Sequence, residues 1–411
     1  MRARLSVLMF LQYAAAGAIL PLYSLRLQEL GFTPSSMAWV CATQAMAGLI
    51  TPLAGQLADR WLSAERCLGV CSFLAGILMW VLAGLTTPGL VFAVSLVTWI
   101  LYVPCITLGT SICFAHSRHP EREFGRVRLW GTVGWIAPTV MLSLWFDVWD
   151  LLSPPTRIVG SKWEDAFRLG SLVALALSGY ALTVPHTPPQ RRVGHWLAPV
   201  RALKVLRGRS FDVYLFCTFG LCLVIPFAQQ VMPLLLLYLG IPRPWLLRAL
   251  PLAQIMEIAA LGLLPMFLLR LGVRGSMLLG LAAWASYLSL LALGRPTALV
   301  IASLSLNGVC VCCFLVAGQV FVNSRAHGDV RASAQALLTF TNSLGMLVGN
   351  LVVGWVRTRF DEAFPPTFAV GAAITAGLFA VFSLGFREDQ EAGVRDQGSA
   401  VRGQEPPPPT S

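Results

Sequence analysis

Arg128, Thr132 and Trp135 stand at i, i+4 and i+7, so on a helix they share one face. A guanidinium, a hydroxyl and an indole on one face can hold a polar, planar solute. Gln254 and Glu257 lie one turn apart on a second apolar stretch and form a second such face. The amide offers donors and an acceptor; the carboxylate can accept hydrogen bonds or carry a proton. A nucleobase edge or a ribose diol needs such groups, and a sugar needs them equally. Each set also has a structural reading. Arg128 can be a snorkelling cation at a helix end, Trp135 an interfacial anchor, and Glu257 a hydrogen-bond partner between helices. Glu257 weighs against the purely structural reading. The other carboxylates fall in loops, tails or helix ends, whereas Glu257 stands midway along an apolar run. An ionised acid at that depth costs about 2.5–3.5 kcal/mol, so it is expected to pair, bind a solute or cycle a proton. Arg128 is the base best placed to face it.

The elements that carry these residues are membrane spans. Of 411 residues 56% are hydrophobic and only 12% charged, about half the charge of a soluble domain. Charge-poor runs recur at lengths near the ~20 residues that cross a bilayer. They predict an all-α integral membrane protein with twelve spans, at 5–25, 34–57, 67–86, 89–114, 127–146, 169–185, 211–234, 249–269, 276–293, 297–322, 333–356 and 365–385. The run after Arg2 and Arg4 is long enough to remain as the first span, so no cleaved leader is expected. Lys and Arg are more frequent in the loops that share a side with the N-terminus, which predicts both termini in the cytoplasm. The net charge of +11 therefore needs no nucleic-acid partner. Arg191, Arg192, Arg201, Lys204, Arg207 and Arg209 lie in a polar segment after span six. It divides the chain into 1–185, a basic linker 186–210, a second half 211–386 and a polar tail 387–411. The ten cysteines show no metal-type spacing. No phosphate-cradling glycine loop or catalytic motif occurs, so neither an enzyme nor a cofactor or metal is expected.

Between spans two and three runs Gly55-Gln-Leu-Ala-Asp59-Arg60, followed by Arg66. This resembles the loop signature of the major facilitator superfamily, with Leu62 where a second glycine is usual. The resemblance implies two six-helix bundles around a midplane cavity, rocking to give alternating access, with Gly55, Asp59, Arg60 and Arg66 in a gating loop. Four further stretches occur in family order: Ala58–Ala64, Arg128-Leu-Trp-Gly-Thr-Val-Gly-Trp135, Gln254-Ile-Met-Glu257 and Arg331-Ala-Ser-Ala-Gln335. Together they resemble the bacterial nucleoside:proton symporters.

That resemblance implies a solute site of Arg128, Thr132, Trp135, Gln254 and Glu257, with Glu257 coupling the proton. Gln230, beside Gln229, and Asn307 join the site as the amides of helices seven and ten. Gln12 is a further candidate to reach the cavity. One departure stands out. The family carries a Tyr and a Phe-Asp pair on helix ten, and the matching positions here are Asn307, Val311 and Cys312. The expected protein is a proton-coupled nucleoside importer, monomeric, in the bacterial inner membrane, with a nucleoside, protons and lipid as its partners. A symporter of a sugar or small aromatic acid, or a membrane sensor that transports nothing, are the alternatives.

Overall fold

The computed structural model describes residues 2–61, 63–116, 120–152, 163–187, 208–325 and 329–387, without the side chains of 51–61, 120–125, 150, 152 and 329–332. The basic linker, apart from its ends, and the tail beyond residue 387 lie outside the described residues.

Every regular element among the described residues is helical. We number them α1 (Arg2–Glu29), α2 (Pro34–Trp61), α3 (Ala64–Gly84), α4 (Pro88–His116), α5 (Pro120–Leu152), α6 (Glu164–Ala181) and α7 (Arg209–Tyr238). Then follow α8 (243–271), α9 (273–293), α10 (Thr297–Arg325), α11 (Asp329–Arg359) and α12 (Phe364–Gly385). Among the described residues nine helices are by themselves long and apolar enough to cross a membrane. One of these, Arg243–Leu293, is 51 residues long, about twice what a bilayer requires. It breaks at Gly272, whose φ of 68° and ψ of −179° no residue with a side chain adopts readily. The twelve spans read from sequence are reached by dividing it there and adding α2 and α6. The first turns of α6 carry Glu164, Asp165 and Arg168, which are mutually paired. Arg26 at the end of α1 reaches Glu164 as well, at 3.4 Å. These charges cap the helix at the bundle surface rather than entering its apolar body.

Helices α1–α6 pack on one another, as do α7–α12. The two main seams between the groups are α2 against α11 and α5 against α8, with a smaller contact of the end of α1 against α7. With no water in a bilayer core to drive burial, such packing depends on close backbone approach. The crossing of α1 and α5 uses a glycine on each side: Gly17 lies on the Trp135 backbone and Gly134 on the Phe10 carbonyl, with no room for a Cβ at either. Gly308 does the same for α10, laid directly on the backbone of α8 at Ala253 and Glu257. These crossings hold the two polar faces read from sequence. At the end of the molecule where α1 passes into α2, the α5–α8 seam is pinned by polar contacts. Asp147 pairs with Arg248, Ser143 donates to the Pro244 carbonyl at 3.0 Å, and Arg243 lies over the Trp163 ring at 5.3 Å.

Candidate functional site

Three of the lining helices depart from regular α geometry beside the cavity. In α1, Pro21 lacks an amide donor and the chain tightens into a 3₁₀ turn over Leu20–Leu22. In α7, a π-turn over Phe227–Val231 follows Pro226 and precedes Pro233. In α10, a π-turn spans Val311–Val316. The π-turns add a residue to the helical repeat and the 3₁₀ turn tightens it; both rotate the faces beyond them, and π-turns are common where helices carry a site.

The cavity these helices enclose has a volume of about 440 Å³, enough for a nucleoside-sized solute. Both bundles line it. Arg128, Thr132, Trp135 and Thr139 face it from α5, Tyr13 from α1 and Gln44 from α2. Gln254 and Glu257 face it from α8, Gln229 from α7, Trp284 and Tyr287 from α9, and Asn307 and Val311 from α10. The two faces expected from helical spacing therefore meet across one space. Arg128 and Glu257 are near enough for the arginine charge to act on the carboxylate, yet no ion pair joins them. The guanidinium lies over the Tyr13 ring instead, 4.2 Å from its centroid, within the range of an attractive cation–π contact.

Two expected lining residues are placed elsewhere. Gln230 is buried and donates to the Asn350 side-chain oxygen Oδ1, while its neighbour Gln229 lines the cavity. The π-turn that contains both residues sets which of them faces inward. Gln12 is fully buried with its amide against Gly109 of α4, and the cavity wall on α1 is the next residue, Tyr13. Cys312, at the helix-ten position where an acid would be expected, is fully buried and outside the lining. Of the gating-loop residues, Gly55, Asp59 and Arg60 stand at the end of α2 and their side chains lie outside the described residues; Arg66 is exposed on the first turn of α3. Trp284 and Tyr287 are the lining residues with the least sequence signal. They lie one turn apart in an apolar run, and their edge-to-face contact (5.6 Å between centroids) builds a rigid aromatic wall.

A cation, a carboxylate, four amides, hydroxyls and indole faces around one space suit a solute that is flat and rich in donors and acceptors. The arrangement suits the binding of a solute. The comparisons with known proteins agree. The chain resembles YegT of Escherichia coli (strain K12), a nucleoside transporter by name, at 29% identity covering 94% of each protein. It is 28% identical to a xanthosine permease of the same organism, covering 94% of this chain and 96% of the relative. The crystal structure of the nucleoside transporter NupG superposes with a TM-score of 0.81 at 23% identity, over 94% of this chain and 99% of that one. Residues 1–391 match the family described as nucleoside H+ symporter. The chain belongs to that family: it is a proton-coupled nucleoside transporter on a major facilitator fold, not an enzyme.

Proposed function

We propose that the chain takes up nucleosides with protons, holding the solute between Arg128, Thr132, Trp135, Gln229, Gln254 and Asn307 and carrying the proton on Glu257. The observation that supports this reading is the meeting of the α5 and α8 faces across one cavity between the two bundles. Trp135 supplies a flat face for the base, and the amides match its edge or the ribose hydroxyls. Glu257 is the one acid in the lining, and the position of a second helix-ten acid is occupied by Cys312, a thiol that stays neutral in apolar surroundings. One proton moving through 100 mV supplies about 2.3 kcal/mol. A pH unit adds about 1.4 kcal/mol, which together sustain roughly a few hundred-fold accumulation.

The proposed setting is the bacterial inner membrane, the chain working as a monomer with the α2–α3 end and both termini in the cytoplasm. The pinned end then faces outward. Labelling of Arg66→Cys from outside intact cells, in a background free of other cysteines, would overturn this orientation.

Glu257→Gln removes the titratable group and keeps its size. It should abolish accumulation driven by a pH gradient while leaving solute exchange partly intact, because exchange does not need the empty carrier to return deprotonated. Normal accumulation by Glu257→Gln would remove Glu257 from the coupling step. A competition panel of nucleosides, sugars and aromatic acids against labelled uridine uptake tests the substrate class.

A further inference from the structure

Arg128 and Glu257 face the same small cavity, where opposite charges attract far more strongly than in water. Left to themselves they would close into an ion pair, and a carboxylate held in such a pair keeps its charge. The structure shows a different arrangement. No nitrogen of Arg128 comes within ion-pair distance of Glu257, and the guanidinium is stacked on Tyr13 at 4.2 Å. The space that permits this stacking is made by Gly131, one turn beyond Arg128. A Cβ at residue 131 would stand 2.8 Å from Arg128 Nη1 and 2.8 Å from Tyr13 Cδ2, closer than real side chains come. The nook is stiff, because Gly17 and Gly134 bring α1 and α5 into backbone contact on the same crossing.

We propose that Tyr13 and the notch at Gly131 are positioning elements that park the Arg128 guanidinium off Glu257, leaving the carboxyl free to take up and release its proton. This rests on the reading of Glu257 as the proton carrier. Glycine at 131 and a ring at 13 have no other joint explanation in the geometry: each alone is ordinary packing, but together they make a seat shaped to a flat cation. The groups that face Glu257 are few. Among the described residues Arg128 from α5, Tyr13 from α1 and Tyr287 from α9 share the cavity lining with it, and Cys312 from α10 lies buried behind the lining within its electrostatic reach. Of these only Arg128 is positively charged, so its position decides the electrostatics at the carboxyl.

The test uses the full chain in proteoliposomes, with Tyr13→Phe, Tyr13→Leu and Gly131→Ala. Two readouts are taken: uridine exchange against uridine accumulation, and the infrared band of the protonated carboxyl that Glu257→Gln abolishes. Tyr13→Phe keeps a ring face and should keep the band and the parent's ratio of accumulation to exchange. Tyr13→Leu and Gly131→Ala should release the arginine onto Glu257. The band is then lost at the pH where the parent shows it, and accumulation falls about tenfold or more while exchange persists, since an adjacent opposite charge moves a carboxyl by a unit or more. Tyr13→Leu combined with Arg128→Gln removes the cation and should restore the band, a rescue that a mere packing defect would not show. This pair also carries the test if Gly131→Ala does not fold. An unchanged band in Tyr13→Leu, or its loss without rescue, would overturn the proposal. If the parent accumulates no uridine but the band still follows the parked arginine, the proposed function fails and the positioning role stands.

Discussion

Gln229 and Gln230 are adjacent, and their substitutions should behave in opposite ways. Gln229→Ala removes a lining amide and leaves the fold alone, so KM for a nucleoside should rise about tenfold with unchanged thermal stability, the usual effect of losing one hydrogen-bond partner. Gln230→Ala strands the buried Asn350 side-chain oxygen Oδ1. It should cost about 1–3 kcal/mol of stability, seen as a lower Tm, with KM unmoved. Trp135→Ala should weaken binding by about 1–3 kcal/mol if a base stacks on the indole, and Trp135→Phe should retain most of that. At this scale the sequence showed the site wherever a helix is regular. Arg128, Thr132 and Trp135 follow plain helical spacing, as do Gln254 and Glu257, and all five line the cavity. It misled at Gln230 and at Gln12. A step of one residue turns a helix by about 100°, and the choice between neighbours then depends on turns and contacts that polarity alone does not show. Tyr13 gave no signal, because an aromatic next to a glutamine in an apolar helix reads as packing.

Gly308 shows what the elements contribute. With α10 resting on the α8 backbone at Glu257, a side chain at residue 308 must part the two helices. Gly308→Val should destabilise the protein by about 1–3 kcal/mol through overpacking. It should also reduce nucleoside binding, read by ligand-induced thermal shift in the purified protein. The same directness explains how far the helices were legible. Apolar runs marked them well, since a bilayer demands both length and low charge. The joint between α8 and α9, expected between residues 269 and 276, falls there at Gly272, whose backbone breaks the helix. The α5–α8 and α2–α11 seams left no trace in the sequence, because small residues and short polar contacts occur equally within each bundle.

Across the whole molecule, the two seams differ in chemistry. Along α2–α11 the contacts are buried: Gly354 sits on Ala38, Gly48 beside Ser343, and Arg357 lies against Met37. Along α5–α8 the contact is polar and wet, with Asp147 and Arg248 both partly exposed. Asp147→Ala should therefore loosen the pinned end only slightly. A pair this exposed contributes about 0–1 kcal/mol, so labelling of a Thr139→Cys probe from that side should rise no more than about fivefold. The same difference has a consequence for the transport cycle. Mobile ions screen the exposed Asp147–Arg248 attraction and reach the α2–α11 seam less, because its charged contact, Arg357 on Met37, is buried. Raising the ionic strength should ease separation chiefly at one seam, so the bundles would part first along α5–α8 and pivot about α2–α11. Rinsing the same protein with dilute and concentrated salt would then change the order in which its two edges come apart, and with it the side of the cavity that solvent reaches first.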